Sequence, residues 1–359
     1  MASVNSGVSG FLNKFKPEPK LSEPKISRKE KRERFKKRLE SLTPEEQKYL
    51  KRKRAFDAAW PIVRGLIVFG LCFVILYPLI FMISAAFRPR ADMNDPTILW
   101  IPKNYTLSNI RDAIRAMDFW NTLGNTLVLN IGCSIVQVIT CALTGYGFAR
   151  FKFKGKNILF FVVIMMILVP SQIILIPQYM FFRYFNPFGI YHAITGSYIN
   201  LINTAVTMYF PAFTANGIRA GLFIFLFRQS FRGLPKELED AAYLDGCSPF
   251  RTFIQVMIPN AGSTFLTVFL LSVVWYWNDY YVSTSFFTDN RTIALMLKNL
   301  DANLTRIIFD NGNVQVNVRE LIVWMESGCL ISILPMLIMY ILLQKNFTEG
   351  IARSGLTGM

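Results

Sequence analysis

Gly233-Leu-Pro-Lys-Glu-Leu-Glu-Asp-Ala-Ala-Tyr-Leu-Asp-Gly-Cys-Ser-Pro-Phe-Arg-Thr-Phe-Ile-Gln-Val-Met-Ile-Pro259 is a polar stretch with its own punctuation, set between long apolar segments. Pro235 is suited to a helix start, and Lys236–Leu244 are compatible with the helix that follows. Asp245-Gly246 supplies a stop, because glycine takes the left-handed conformation at a helix end without steric cost. Ser248-Pro249 restarts a helix as N-cap and first helical residue. The spacing predicts a short helix, a tight turn, and a second helix that closes at Pro259 and enters the next apolar segment. Ala241 and Ala242 make a patch without bulk, flanked by Glu237, Glu239 and Asp240. Two readings fit: a docking surface for a partner with basic residues, or a hairpin that packs on its own bundle.

The surroundings of this stretch are those of a membrane. Of 359 residues, 52% are apolar or aromatic and 17% are charged, where soluble domains carry about a quarter charged. Mean hydropathy is +0.34. Residues 1–64 hold 18 Lys/Arg and 8 Asp/Glu, which is +10 of the total +16. A span needs about 20 apolar residues. Six segments qualify: Gly65–Phe87, Phe119–Ala149, Asn157–Phe182, Tyr184–Ile218 (with an extension to Phe227), Gly262–Trp277 and Ser327–Gln344. The predicted fold class is therefore all-α, a polytopic membrane protein with six transmembrane helices. Lys/Arg crowd the amino-terminal arm, the loop with Arg150, Lys152, Lys154 and Lys156, and the stretch with Arg228, Arg232, Lys236 and Arg251. By the positive-inside rule these face the cytoplasm, as do both termini. The loops 88–118, 183–194 and 287–326 fall on the other side. The expected organisation is a basic arm over 1–59, the first span and external loop over 60–118, a core over 119–344 and a tail over 345–359.

Other classes are disfavoured by what the chain carries. A pI of 9.7 also suits nucleic-acid binding, but a positive-inside bias accounts for it with no nucleic-acid partner. Five cysteines show no metal-ligand spacing, and His192 is the sole histidine, which leaves no metal centre and no catalytic residue to assign. His192 is expected in a solvated connection. The first twenty residues have no apolar h-region, so no cleavable signal is expected. Ser27–Glu30 and Thr43–Glu46 read as capping boxes of two short charged helices. Residues 28–54 suit contact with anionic membrane lipid. Arg219 would cost about 2.5–3.5 kcal/mol at a bilayer centre, so it belongs in a cavity, at a helix break near Asn216-Gly217, or at a membrane edge. Pro170 and Pro177 are expected to kink the third span.

Asp240-Ala241-Ala242, Asp245-Gly246 and Val256-Met257-Ile258-Pro259 together resemble the EAA loop of ABC importer permeases. That pattern runs Glu-Ala-Ala, three residues, Gly, nine residues, Ile, any residue, Leu, Pro, and the spacing is kept throughout. Asp240 stands for Glu, Cys247 for the usual Ala, Val256 for Ile and Ile258 for Leu. Tyr77-Pro78 with Ser84, Gly145–Phe151, Phe225–Phe231, Trp277-Asn278-Asp279 and Gln344–Gly350 resemble the maltose-type carbohydrate importers, the tail resembling the lipo-oligosaccharide permease subgroup. The arm 1–54 lies outside the match.

The resemblance implies a type I ABC importer permease fold and a non-catalytic subunit. It also implies a second homologous permease, two cytoplasmic ATPase subunits that hold ATP and Mg, and an extracytoplasmic solute-binding protein. No Gly-x-x-x-x-Gly-Lys-Ser/Thr phosphate loop occurs in the chain. By the same resemblance Glu239, Asp240, Ala241, Ala242, Asp245, Gly246 and Pro259 form the coupling loop for the ATPase. Polar and aromatic groups within or at the ends of spans are candidates for the substrate path: Asn130, Gln137, Asn200, Asn203, Trp275, Trp277 and Asn278. The alternative for each amide is helix-to-helix glue. Segment 287–326, with Asn303 and Arg306, is placed to meet the binding protein. An ion-coupled secondary transporter is the main rival, but it would place acids within its spans, and Asp279 and Glu326 are expected only at span ends. An ABC permease for a non-sugar solute is the other.

Overall fold

The computed structural model describes residues 43–89, 92, 101–289, 292–310 and 318–354. The chain divides into two units, Met1–Leu76 and Tyr77–Met359. Among the described residues there is no strand beyond one isolated antiparallel bridge between Phe185 and Ile199.

Helix α1, Pro44–Ala86, is continuous, so the second charged helix expected in the arm is the first turns of the first span. Its cap is half of the predicted box. The Thr43 amide and hydroxyl both donate to Glu46 Oε2, at 3.0 and 2.8 Å, which holds the Glu46 carboxyl below its usual range. The Ser27–Glu30 box and residues 28–42 of the arm lie outside the described residues. From Gly65 to Leu76 every side chain is exposed, and nearly all are apolar, as a lipid-facing helix requires.

The second unit is built around helix α3, Phe119–Arg150. Ahead of it comes α2 (Ser108–Ala116). After it come α4 (Lys156–Leu168), α5 (Ser171–Arg183), the short α6 (Ile190–Thr195), α7 (Val206–Phe213), α8 (Ala220–Gly233), α9 (Glu237–Leu244), α10 (Pro249–Asn260), α11 (Gly262–Trp277), α12 (Tyr281–Phe286), α13 (Ile293–Lys298), α14 (Leu300–Asp310) and α15 (Val318–Ser354). Helices α7, α8 and α11 all lie along α3, α4 lies on α8, and α15 joins α11 to α2. Phe223, Phe227 and Phe231 of α8 are fully buried. Their four-residue spacing sets them on one stripe, which meets Cys141, Ala142 and Tyr146 of α3. Small residues on α3 permit the approach.

At Gly145 a Cβ would sit 2.6 Å from Phe227 Cβ and 3.0 Å from the Arg228 amide nitrogen. Gly145→Val is therefore expected to push α8 off α3 at a cost of about 1–3 kcal/mol or more. Gly147→Val, whose Cβ meets nothing within 4 Å, serves as its control. A thermal-stability comparison of the two detergent-extracted variants checks this, and equal melting would contradict the packing argument.

Several expected spans differ in form. Among the described residues, three helices are long and apolar enough to cross a membrane unaided: Ala55–Ala86, Phe119–Arg150 and Arg319–Gln344. Counting each bent pair as one span raises the number to five. The third segment is bent by 105° between α4 and α5 at Pro170, which has no amide proton to continue the ladder; Pro177 is inside α5. The fourth expected span, Tyr184–Ile218, is not a helix over that range. It holds α6 and α7, stops at Thr214–Arg219, and resumes as α8. His192 lies in α6 rather than in a connection and stacks on Tyr198 at 4.4 Å. Glu326 is inside the apolar stretch of α15 and not at its end.

Candidate functional site

The loop between α8 and α11 takes its shape from the predicted signals. Helix α9 ends in a paired C-terminal cap: the Cys247 amide donates to Ala242 O at 2.9 Å and the Gly246 amide to Tyr243 O at 3.0 Å. Gly246 takes φ +80°, which makes this a Schellman motif with glycine at C′. Ser248 then caps α10, its hydroxyl accepting from the Arg251 amide at 3.4 Å, with Pro249 at the first position. Within α10, Phe253–Met257 widen into a π turn ahead of Pro259. A wider turn of this kind accommodates the missing amide at the cost of regular register. The second helix does not run straight into the next span: α10 and α11 meet at an angle of 81°.

One face of α9 is anchored. Glu239 is buried (7% exposed). Its Oε2 lies 3.2 Å from Arg150 Nε, and its Oε1 accepts a hydrogen bond from the Tyr146 hydroxyl at 2.9 Å. Arg150 also donates to Leu234 O at 2.7 Å. Tyr146 in turn packs against Phe231 and Phe253. The carboxylate is thus held by one hydrogen bond and one ion pair, the pairing that a buried charge requires. Glu239, expected among the acids facing a partner, faces α3, and Ala242 is buried as well. Asp240, Ala241, Asp245 and Gly246 are exposed together with Glu237 and Pro259. Beside them stand Leu244, 89% exposed, and Phe250, 64% exposed. The outer face is therefore apolar with an acidic border.

A second constellation lies in the break between α7 and α8. Ala215 and Arg219 adopt left-handed φ of 54° and 58°, a conformation disfavoured for residues other than glycine. The backbone carbonyls freed there are taken up by α3. Gln137 Nε2 donates to Ile218 O at 2.6 Å, and Thr140 Oγ1 to Ala212 O at 2.8 Å. Gln137 Oε1 accepts from the Tyr276 hydroxyl at 2.5 Å. A Cβ on Gly217 would lie 2.5 Å from that same Oε1, so the tie needs glycine. Arg219 is thus at a helix break, its guanidinium 4.3 Å from the centre of the half-exposed Trp275 ring.

The other candidates for a substrate path are dispersed. Asn130 is 3% exposed, with its Nδ2 unpartnered, and shares a small hollow with Trp277, Thr126 and Asp279. Burial pushes the Asp279 carboxyl up, against the lowering donors on Ser283 and Val282. Asn200 accepts from the Ile202 amide at 3.0 Å. Asn203 accepts from the Thr288 amide at 3.2 Å. Asn278 donates to Val274 O at 2.9 Å within its own turn. These last three amides have the bonding of structural ties. Asn303, expected on an outer docking surface, turns inward to Ala116 O at 3.4 Å, while Arg306 is exposed. The anchors Tyr146 and Arg150 and the Tyr276 hydroxyl were not singled out in the sequence as functional. Tyr146 and Arg150 lie in the Gly145–Phe151 segment, but their partner Glu239 is far away in the chain, as Gln137 is from Tyr276, and no local pattern pairs them.

Residues 141–353 match the family model described as binding-protein-dependent transport system inner membrane component. The arabinooligosaccharides transport system permease protein AraQ of Halalkalibacterium halodurans is 27% identical over 312 residues, 86% of this chain and 100% of its own. The probable starch degradation products transport system permease protein AmyC of Thermoanaerobacterium thermosulfurigenes is 26% identical over 276 residues, 76% of this chain and 89% of its own. A chain from the crystal structure of a bacterial ABC transporter involved in the import of the acidic polysaccharide alginate superposes with a TM-score of 0.63 at 20% identity. That match covers 81% of this chain and 97% of the other.

Proposed function

The chain belongs to the family of binding-protein-dependent transport system inner membrane components, and from that premise we propose that it is one half of the translocation pore of an ATP-driven importer for a sugar or oligosaccharide. As a permease it is a non-catalytic membrane subunit. The observation that carries the coupling part is the anchored loop. Glu239 ties α9 to the end of α3, and Asp240, Ala241, Leu244 and Phe250 are left facing outward. Such a face fits an apolar groove with a basic rim on a cytoplasmic ATPase. ATP and Mg are held by two cytoplasmic ATPase subunits, and a second homologous permease completes the pore. A solute-binding protein delivers the cargo on the outer side, in the neighbourhood of 287–326. With the interrupted α7–α8 segment counted as a sixth span, the Lys/Arg distribution favours both termini in the cytoplasm of a bacterial cell.

The carbohydrate reading draws on the relatives whose names refer to arabinooligosaccharides and starch degradation products. Trp275, with Arg219 above it, offers an aromatic face of the kind on which sugar rings stack, and Gln137 holds the adjoining helix break in place. Co-purification tests the assembly: the tagged chain is extracted in mild detergent, and its stoichiometric partners are identified by mass spectrometry. An ATPase and a second permease of similar length are expected. Recovery of the chain alone, or as a homodimer, would overturn the importer reading. Uptake of labelled oligosaccharides by cells with and without the gene then tests the cargo class.

A further inference from the structure

We infer that the hollow at the junction of α3 and α4 binds the head group of an anionic phospholipid. This hollow, of about 440 Å³, is lined by Lys152, Phe153, Gly155, Lys156, Asn157 and Ile158. It lies beside the end of α3 whose Arg150 is already committed to Glu239. The Lys156 ammonium donates to Phe151 O at 2.8 Å, which uses one of its three protons. It is also repelled by Arg228 and Arg232 of α8. Arg228 stacks on Phe160, its guanidinium carbon 3.8 Å from the ring centre, and its buried Nε has no hydrogen-bond partner. Among the described residues, no carboxylate pairs with Lys152, Lys156, Arg228 or Arg232. Two cations lining the hollow, with two more close enough to act on Lys156 and no carboxylate among them, call for an anion. The amino end of α4 adds its positive dipole end to the same place.

The lining separates a lipid from free phosphate. Phe153 and Ile158 give the hollow an apolar wall, and that wall continues along α4 through the exposed Leu159, Phe161 and Val162. A phosphate head group among the cations leaves its acyl chain to run along this track, and an inorganic ion gains nothing from it. Basic pockets between spans on the cytoplasmic side are a known form of head-group site. The inference does not depend on the cargo or on the coupling loop.

Native mass spectrometry of the full chain in its purified complex, titrated with phosphatidylglycerol, phosphatidylcholine or inorganic phosphate, tests it. Phosphatidylglycerol is expected to be retained in preference to phosphatidylcholine and not displaced by inorganic phosphate. Each Lys removed from the site should weaken retention about 5-fold, so Lys152→Gln with Lys156→Gln should lose about 25-fold. Lys154→Gln, in the same loop but outside the hollow, should leave retention unchanged. A photoactivatable phosphatidylglycerol on the unmodified protein should label the 153–158 peptide, and that readout needs no variant to fold. Equal loss with Lys154→Gln, labelling elsewhere, or displacement by inorganic phosphate would each overturn the lipid assignment.

Discussion

Glu239→Ala is expected to reduce uptake to background, with the chain still inserted in the membrane. The carboxylate is the one charge on α9 buried among partners, with Arg150 Nε at 3.2 Å and the Tyr146 hydroxyl at 2.9 Å. Both side chains of the ion pair are less than a tenth exposed, so water screens the interaction little. Removing the acid leaves the Arg150 guanidinium at the end of α3 with only the Leu234 carbonyl. Breaking one side of a buried pair typically costs about 3–5 kcal/mol, most of it from the cation left behind. That energy is lost at the joint between α9 and α3. The spans pack through the Phe223–Phe227–Phe231 stripe and keep their own contacts.

Hydrogen exchange over residues 236–252 is the direct readout. The Glu239→Ala variant should exchange faster there, while residues 223–231 stay protected. Glu239→Gln keeps an acceptor for Tyr146 and should fall between the two. Replacing both partners by leucine should restore protection, since an apolar pair of similar volume carries no stranded charge. Wild-type exchange and wild-type uptake by Glu239→Ala would remove the anchor from the mechanism.

The loop was legible from its residues because its shape is set by rules that act over three or four positions. Asp245-Gly246 and Ser248-Pro249 each satisfy orphan backbone groups locally, and they do so in the structure. What faces inward was not legible. Nothing in Glu-Leu-Glu-Asp distinguishes Glu239 from Glu237 until α3 is placed beside α9, and the Gly145–Phe151 segment that holds Arg150 says nothing of its partner. Hydrophobic length located the apolar segments and not their breaks. Pro170 gave notice of a bend, though not of its 105°. The interruption at Thr214–Arg219 had notice only as one of three places for Arg219, the break near Asn216-Gly217, because the left-handed backbone of Ala215 and Arg219 is supported by carbonyl ties to the distant Gln137 and Thr140. The apolar run at about Gly262–Trp277 coincides with a helix of those bounds, which is long enough to span only together with the bent Pro249–Asn260.

Gly246→Asp is the second large effect, and it works by a different route. A Cβ at Gly246 would touch nothing within 4 Å, so the substitution makes no clash. Its cost is the backbone at φ +80°, about 1–2 kcal/mol for an ordinary L-residue and less for Asp or Asn. To this the aspartate adds a negative charge at the carboxyl end of α9, beside Asp245. There the helix dipole and the neighbouring acid oppose it by roughly 0.3–1 kcal/mol. Together these shift the turn by about 2 kcal/mol, a factor of roughly 30 in the population of the docking conformation. Uptake should fall by about that factor or more, with the amount of chain in the membrane unchanged, because the residue is exposed and packs on no span. Gly246→Asn separates the two causes, since it tolerates the left-handed turn and brings no charge, and it should keep most of the uptake. Gly246→Val, branched at Cβ and unable to hold the turn, should lose as much as Asp or more. Equal activity of the Asn and Val variants would show that the left-handed turn is not what the loop needs, and wild-type uptake by Gly246→Asp would remove the turn from the coupling path altogether.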